Sequence, residues 1–142
     1  MTHQTYKTPS ILLIDDDDID AMSVQRALQK MKVANPLIRA KDGLEGLEIL
    51  QSEGIDTPFL ILLDLNMPRM NGLEFLNKLR QEGPWHNTVV FVLTTSKADE
   101  DRVAAYEQHI SGYILKENLQ SGFEELVKLL DHYWRLVEFP DK

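Results

Sequence analysis

The sequence predicts an α/β fold, a parallel sheet wound on both faces by helices, and three observations carry that expectation. Apolar runs without polar alternation recur at Ile11-Leu12-Leu13-Ile14, Phe59-Leu60-Ile61-Leu62-Leu63 and Val89-Val90-Phe91-Val92-Leu93, as strands buried on both sides require. Segments with apolar residues at helical spacing separate these runs. Each run also stops abruptly at polar residues, namely Asp15 and Asp16, Asp64, and Thr94. Ligands of open α/β sheets sit just beyond the carboxyl ends of the strands, which is where these side chains fall.

The elements follow in chain order. Residues 1–9 read as a polar lead-in and residues 10–142 as one domain. After the first strand comes the acidic run Asp15-Asp16-Asp17-Asp18, then Asp20, and from Ile19 a helix with Met22, Val24, Ala27, Leu28 and Met31 as its inward face. Some of these aspartates serve as helix caps or first-turn anions. That role does not account for Asp15 and Asp16, which come directly off the strand, where like charges crowd unless a cation relieves them. Pro36 to Ala40 has one polar alternation and suits an edge strand. Asp42-Gly43 opens a helix with Leu44, Leu47, Ile49 and Leu50. The third strand ends at Asp64, and Pro68 and Gly72 keep it from continuing. Leu73, Phe75, Leu76 and Leu79 mark the next helix, stopped at Gly83-Pro84. The fourth strand closes on Thr94-Thr95-Ser96 and precedes a helix over Asp99 to His109. Gly112 to Leu115 is the last strand, ending at Lys116, and Ser121 to Val137 is a long amphipathic helix. Five strands alternating with five helices give a (βα)5 doubly wound parallel sheet with right-handed crossovers and the flavodoxin-like strand order 2-1-3-4-5.

Composition narrows the function. A length of 142 residues fits one domain. A formal charge of -8 argues against nucleic acid or anionic membrane as partner. The absence of cysteine removes disulfides, thiolate zinc sites and cysteine nucleophiles. With neither a signal-peptide core nor an apolar run near the length of a membrane span, the expected location is the cytoplasm.

Strands 1, 3, 4 and 5 are neighbours in the expected order, so their carboxyl ends converge on one pocket. It holds the carboxylates of Asp15, Asp16 and Asp64, the Thr94 hydroxyl and the Lys116 ammonium. Mg²⁺ takes oxygen ligands, commonly one or two carboxylates with waters and a phosphate oxygen. Asp16 and Asp64 would ligate it directly, Asp15 directly or through water, and the backbone carbonyl of Asn66 would add an oxygen. Asp64 is then the natural nucleophile, since a carboxylate can form an acyl phosphate. Lys116 would place a point charge on a phosphate oxygen and Thr94 a hydroxyl donor on another.

These residues resemble the receiver domain of two-component response regulators from about Ser10 to Val137. The acidic pair Asp15-Asp16, LLDLNMPRMNG with Asp64, VLTTS with Thr94, and GYILK with Tyr113 and Lys116 each match the family pattern. Thr94 lies 30 residues after Asp64, and Lys116 lies 22 after Thr94, which also fits. The resemblance implies that Asp64 accepts phosphate from the phosphohistidine of a sensor histidine kinase with Mg²⁺ as cofactor. It further implies that Thr94 and Tyr113 couple phosphorylation to a surface made of the fourth helix, last strand and last helix. Such a protein catalyses only its own phosphorylation and dephosphorylation and is otherwise no enzyme. LNMPRMNG, LTTS, AYEQH and the long aromatic last helix are similar to single-domain regulators of cyanobacterial and bacterial phytochrome kinases. One departure is clear: receivers usually have proline after the lysine, often as a cis peptide, and Glu117 stands there. A non-proline cis bond costs about 2.5 to 4 kcal/mol, so a trans peptide and a rearranged loop are expected.

No DNA-binding or catalytic segment follows, so output is expected through contact with a downstream protein. In the last helix Phe123, Leu126, Val127, Leu130, Trp134 and Val137 form one stripe, and Leu129, Tyr133 and Leu136 carry it round to a second. At about 100° per residue the apolar arc approaches roughly 180°, wider than one core-facing stripe needs. The excess marks a partner or homodimer surface comprising Leu129, Tyr133, Trp134 and Leu136. Other classes fit less well. A haloacid-dehalogenase-like phosphatase expects its nucleophile on the first strand in a DxD motif, whereas Asp64 ends the third strand and Asn66 takes the place of the second acid. An EF-hand loop counted from Asp16 fails, with Ala21 and Ala27 at the glycine and glutamate positions. A receiver fold serving as a phosphate-independent scaffold is opposed by the complete set of acids, threonine and lysine.

Overall fold

A computed structural model of the chain describes residues 9–32, 35–52, 54–81, 83–119 and 123–136. Strands β1 (Ser10–Ile14), β2 (Leu37–Ala40), β3 (Phe59–Leu63), β4 (Val89–Thr94) and β5 (Gly112–Leu115) form a five-stranded parallel sheet in the order β2-β1-β3-β4-β5, with β3 at its centre. Helices α1 (Asp18–Lys30), α2 (Gly43–Gln51), α3 (Gly72–Gln81), α4 (Asp99–Glu107) and α5 (Phe123–Leu136) alternate with the strands. The doubly wound sheet and its strand order are those expected from the sequence.

The unbroken apolar runs are explained by the side-chain period of two. Leu12, Ile14, Ile61, Leu63, Val90 and Val92 face one layer, where Leu47, Leu50, Phe75, Leu76, Leu79 and Ala105 of α2, α3 and α4 cover them. Ile11, Leu13, Leu60, Leu62, Phe91 and Leu93 face the other, under Val24, Ala27 and Leu28 of α1 and Leu126, Val127, Leu130 and Trp134 of α5. Strand register places Ile14 beside Leu63, so β1 and β3 end at one level of the sheet, and Leu63 beside Val92, so β4 runs two residues further, to Thr94, which pairs with Leu115 at the end of β5.

Several expectations need correction. Met22 and Leu44 are exposed rather than inward; Met22 is two residues from the buried Val24, which on a helix is about 200° away. Trp134 does not belong to a partner surface, because it is buried against the sheet, and Tyr133 packs edge-on against Phe91 with centroids 5.0 Å apart. Leu129 and Leu136 are the α5 residues of that proposed surface that stand exposed. Helix α4 stops at Glu107, short of His109, whose backbone has φ 61°. The expected boundaries of α5, Ser121 and Val137, lie outside the described residues. Among the described residues the cis peptide is Thr57-Pro58, so Lys116-Glu117 is trans as expected, and β5 runs straight into a single 3-10 turn, Lys116–Asn118. No helix of the described residues is long and apolar enough to cross a membrane.

Candidate functional site at the carboxyl edge of the sheet

Asp15 and Asp64 are the first residues past β1 and β3, and their N–H groups extend the sheet hydrogen bonding. Asp15 N–H donates to Ala40 O at 3.0 Å and Asp64 N–H to Ile14 O at 2.9 Å. Both acids are buried and Asp16 is exposed. Carboxylate oxygens of Asp15, Asp16 and Asp64 all lie within 4.8 Å of one another. The sequence-derived acid triad is therefore brought together.

Lys116 closes the site from the end of β5. Its Nζ lies 3.2 Å from Asp15 Oδ2 and 3.5 Å from Asp64 Oδ2, and it hydrogen bonds most closely to Asp20. Burial acts to lower the Lys116 pKa, but the hydrogen bond to Asp20 and the charges of Asp15 and Asp64 outweigh it and hold the ammonium charged. Burial pushes Asp15 up to about 6, against the Asp17 N–H and the Lys116 charge that pull it down. Four acids around one ammonium leave the site short of positive charge. Such an all-oxygen donor set fits a hard divalent cation.

The remaining acids of the run have distinct tasks. Asp17 is the α1 cap, its Oδ1 accepting from Ile19 N–H at 2.8 Å and Asp20 N–H at 3.3 Å. Asp18 pairs with Arg39 Nη1 at 2.6 Å. Sequence reasoning missed Asp20 and Arg39. Arg39 donates from Nε and Nη2 to the Asp15 carbonyl at 3.1 and 2.9 Å, which ties the edge strand to the acidic loop. The one polar residue of β2 was the available signal for Arg39. For Asp20 it was a place one turn into a helix that starts at the site.

The β3–α3 loop is held from both ends. Gly72 N–H donates to Leu65 O at 3.0 Å. A β-carbon at Gly72 would lie 2.5 Å from the Asp64 carbonyl oxygen and 2.7 Å from Leu65 Cα, so backbone must move to admit it. Gly72→Ala is expected to destabilise the protein by about 3 kcal/mol, measured as a lower urea midpoint with an unchanged slope. At the middle of the loop Arg69, with φ 62°, places Nε 2.6 Å from Asp42 Oδ2. Asp42 also caps α2, its Oδ1 accepting from Glu45 N–H at 2.9 Å. Asn66 N–H reaches Asp64 Oδ1 at 3.3 Å, which positions the Asn66 backbone beside the acceptor acid.

Asp42 also predicts a pH dependence. The Arg69 hydrogen bond holds its carboxyl below the usual range, with burial opposing. A carboxyl depressed in the fold stabilises above its unfolded pKa, and that stability is lost as pH falls through the folded value. Asp42→Ala is expected to cost about 1–2 kcal/mol at neutral pH, mainly the lost cap because Arg69 is exposed. The gap to wild type should narrow on acidification below the ordinary carboxylate range, by the part due to Arg69, because a protonated Asp42 can still accept the cap hydrogen bond, as denaturant melts along a pH series will show.

Thr94 is fully buried at the end of β4, and its Oγ1 accepts from Ser96 N–H at 3.2 Å. Ser96 Oγ donates to Asp101 Oδ2 at 2.7 Å, joining this loop to the first turn of α4. Tyr113, half-buried on β5, donates its hydroxyl to Ser96 O at 3.1 Å, and burial raises its pKa. Thr94, Ser96, Asp101 and Tyr113 therefore form one connected path from the acid site to α4.

Known proteins resemble this chain in sequence and in fold. Residues 11–131 match the response regulator receiver domain family. The chain is 33% identical over 138 residues to Response regulator Rcp1 of Synechocystis sp., spanning 94% of each. It superposes on the Mn²⁺-bound form of Rcp1 with a TM-score of 0.82 at 34% identity, covering 93% of this chain and 99% of that one. On the phosphorylated cyanobacterial phytochrome response regulator RcpA the TM-score is 0.84 at 28% identity, covering 95% and 100%. The match in sequence and in strand order extends across the whole sheet and all its carboxyl-edge loops, and on this ground the chain belongs to the response regulator receiver domain family.

Proposed function

We propose that Asp64 is the phosphoacceptor of a Mg²⁺-dependent phosphorelay fed by a sensor histidine kinase. The observation that carries this reading is the placement of the buried Asp64 carboxylate among Asp15, Asp16 and Lys116 at the sheet edge. An Asp64 oxygen attacks the phosphorus of a phosphohistidine, the O–P bond forming as the P–N bond breaks, and the imidazole leaves with the electron pair. Lys116 donates to one phosphoryl oxygen. Thr94 donates to another, its hydroxyl proton being available because Oγ1 is an acceptor toward Ser96. Asp15, Asp16, Asp64 and the Asn66 carbonyl would hold Mg²⁺, which would supply the positive charge that the acids and the transferred phosphoryl group lack. The chemistry is confined to this chain's own aspartate.

Output follows from the path through Ser96. As Thr94 is drawn toward the phosphoryl group, the Tyr113 hydroxyl leaves Ser96 O and the ring turns inward, repacking α4, β5 and α5 for a downstream partner. The likeness to RcpA, named as a phytochrome response regulator, supports a phytochrome as the kinase. Phosphotransfer from a purified phytochrome kinase, compared at equal times with an unrelated histidine kinase, is expected to favour the phytochrome. A preference for the unrelated kinase would remove that assignment.

Homodimerisation through α5 is supported by the exposure of Leu129 and Leu136. Leu136→Glu is expected to shift sedimentation from dimer to monomer. A monomer in the unsubstituted protein, with and without phosphate, would end the idea.

A further inference from the structure

Lys116 sits among three carboxylates, and the one it approaches most closely is not the acceptor. Its Nζ meets Asp20 first, then Asp15 Oδ2 at 3.2 Å, and Asp64 Oδ2 only at 3.5 Å. Asp20 stands three residues after the Asp17 cap, where an acidic side chain can fold back onto the cap's own N–H. That N–H is already taken by Asp15 Oδ1 at 2.9 Å. Asp20 is thereby released from capping, and its side chain, only 16% exposed, reaches across the site to the ammonium. The acids that converge within 4.8 Å as a cation donor set are Asp15, Asp16 and Asp64, and Asp20 stands outside that group.

Resting on the assignment of Asp64 as acceptor, we infer that Asp20 is a positioning residue that holds Lys116 back from the phosphoryl position in the unphosphorylated protein and so limits how fast phosphate loads. An ammonium has three protons. Those given to Asp20 and Asp15 are withheld from the incoming phosphoryl oxygens. Loading brings new negative charge to the Asp64 side, and Lys116 turns toward it by giving up Asp20. The exchange takes place in a partly buried setting where water and salt screen weakly, so the competing carboxylate acts at nearly full strength. Asp18, which belongs to the same first turn, pairs with Arg39 and does not touch Lys116.

The test compares phosphoryl uptake from acetyl phosphate at saturating Mg²⁺, followed by intact mass, in wild type, Asp20→Asn, Asp18→Asn, Lys116→Ala and the Asp20→Asn/Lys116→Ala pair. Asp20→Asn is expected to load about five-fold faster than wild type, and Asp18→Asn within about two-fold of it. In the Lys116→Ala background Asp20→Asn should change nothing, as a residue acting through the lysine requires. The affinity for beryllium fluoride with Mg²⁺, read as a melting shift, should tighten about five-fold in Asp20→Asn and not in the double variant. That readout needs no turnover, so it serves even where Lys116→Ala loads too slowly to time. Unchanged or slower loading in Asp20→Asn, equal acceleration by Asp18→Asn, or acceleration that survives loss of Lys116 would overturn the inference and leave Asp64 as acceptor. Wild type that takes no phosphate, and no beryllium fluoride, would remove both.

Discussion

Asp64→Asn is expected to take up no phosphate from acetyl phosphate or from a phosphorylated histidine kinase, whereas wild type gains one phosphate that is labile to base, and gains none when EDTA replaces Mg²⁺. An amide oxygen is a poor nucleophile at phosphorus, and its acyl adduct is not formed, so the loss should be complete rather than partial. The fold should survive, because asparagine has the size of aspartate and the side chain is buried among acids. Removing one of several crowded charges relieves repulsion. The melting temperature without metal is therefore expected to stay level or rise, and the gain on adding Mg²⁺ to shrink. A phosphate adduct on Asp64→Asn of the same lability as in wild type would show that another residue is the acceptor.

Lys116→Ala carries the second large effect and separates chemistry from stability. Lys116 is the cation that the described structure places against Asp15, Asp20 and Asp64 together. Its removal leaves buried carboxylates unpaired, a change that costs on the order of 3 kcal/mol when one partner of a buried pair is lost. Mg²⁺ should restore much of that stability, since a divalent cation can take over the neutralisation. It should not restore loading. Loss of an aimed charge on the transferring group is expected to slow uptake by on the order of a hundred-fold at saturating Mg²⁺. Denaturant melts with and without Mg²⁺, set beside mass-detected loading, check both halves. Loading restored to the wild-type rate by Mg²⁺ alone would show that the lysine serves only to balance charge.

Strand and helix order, the two-faced core, the convergence of Asp15, Asp16, Asp64 and Lys116, and the place of Thr94 at the end of the neighbouring strand were legible in the linear sequence. Each rests on a local signal. An apolar run too short for a helix and bounded by turn residues marks a buried strand, and in a parallel sheet every strand presents the same end to the same edge. A polar residue directly after such a run is therefore placed without knowledge of its neighbours. The trans peptide at Lys116-Glu117 follows from residue type alone, for the same reason.

Other features depended on distance in space. Whether an acid in the run Asp15 to Asp20 caps a helix, pairs with Arg39 or binds Lys116 is decided by which group from β2 or β5 reaches it, and composition within the run is silent on that. The Arg69 to Asp42 pair joins residues of two different loops, and the close approach of Gly72 to the Asp64 carbonyl is a matter of backbone path. In α5 the sequence shows how wide the apolar arc is but not where the sheet ends beneath it. Trp134 and Tyr133 were absorbed by the core, and Leu129 and Leu136 were left outside, because the width of the layer under a helix is a property of the packed sheet and not of the helix.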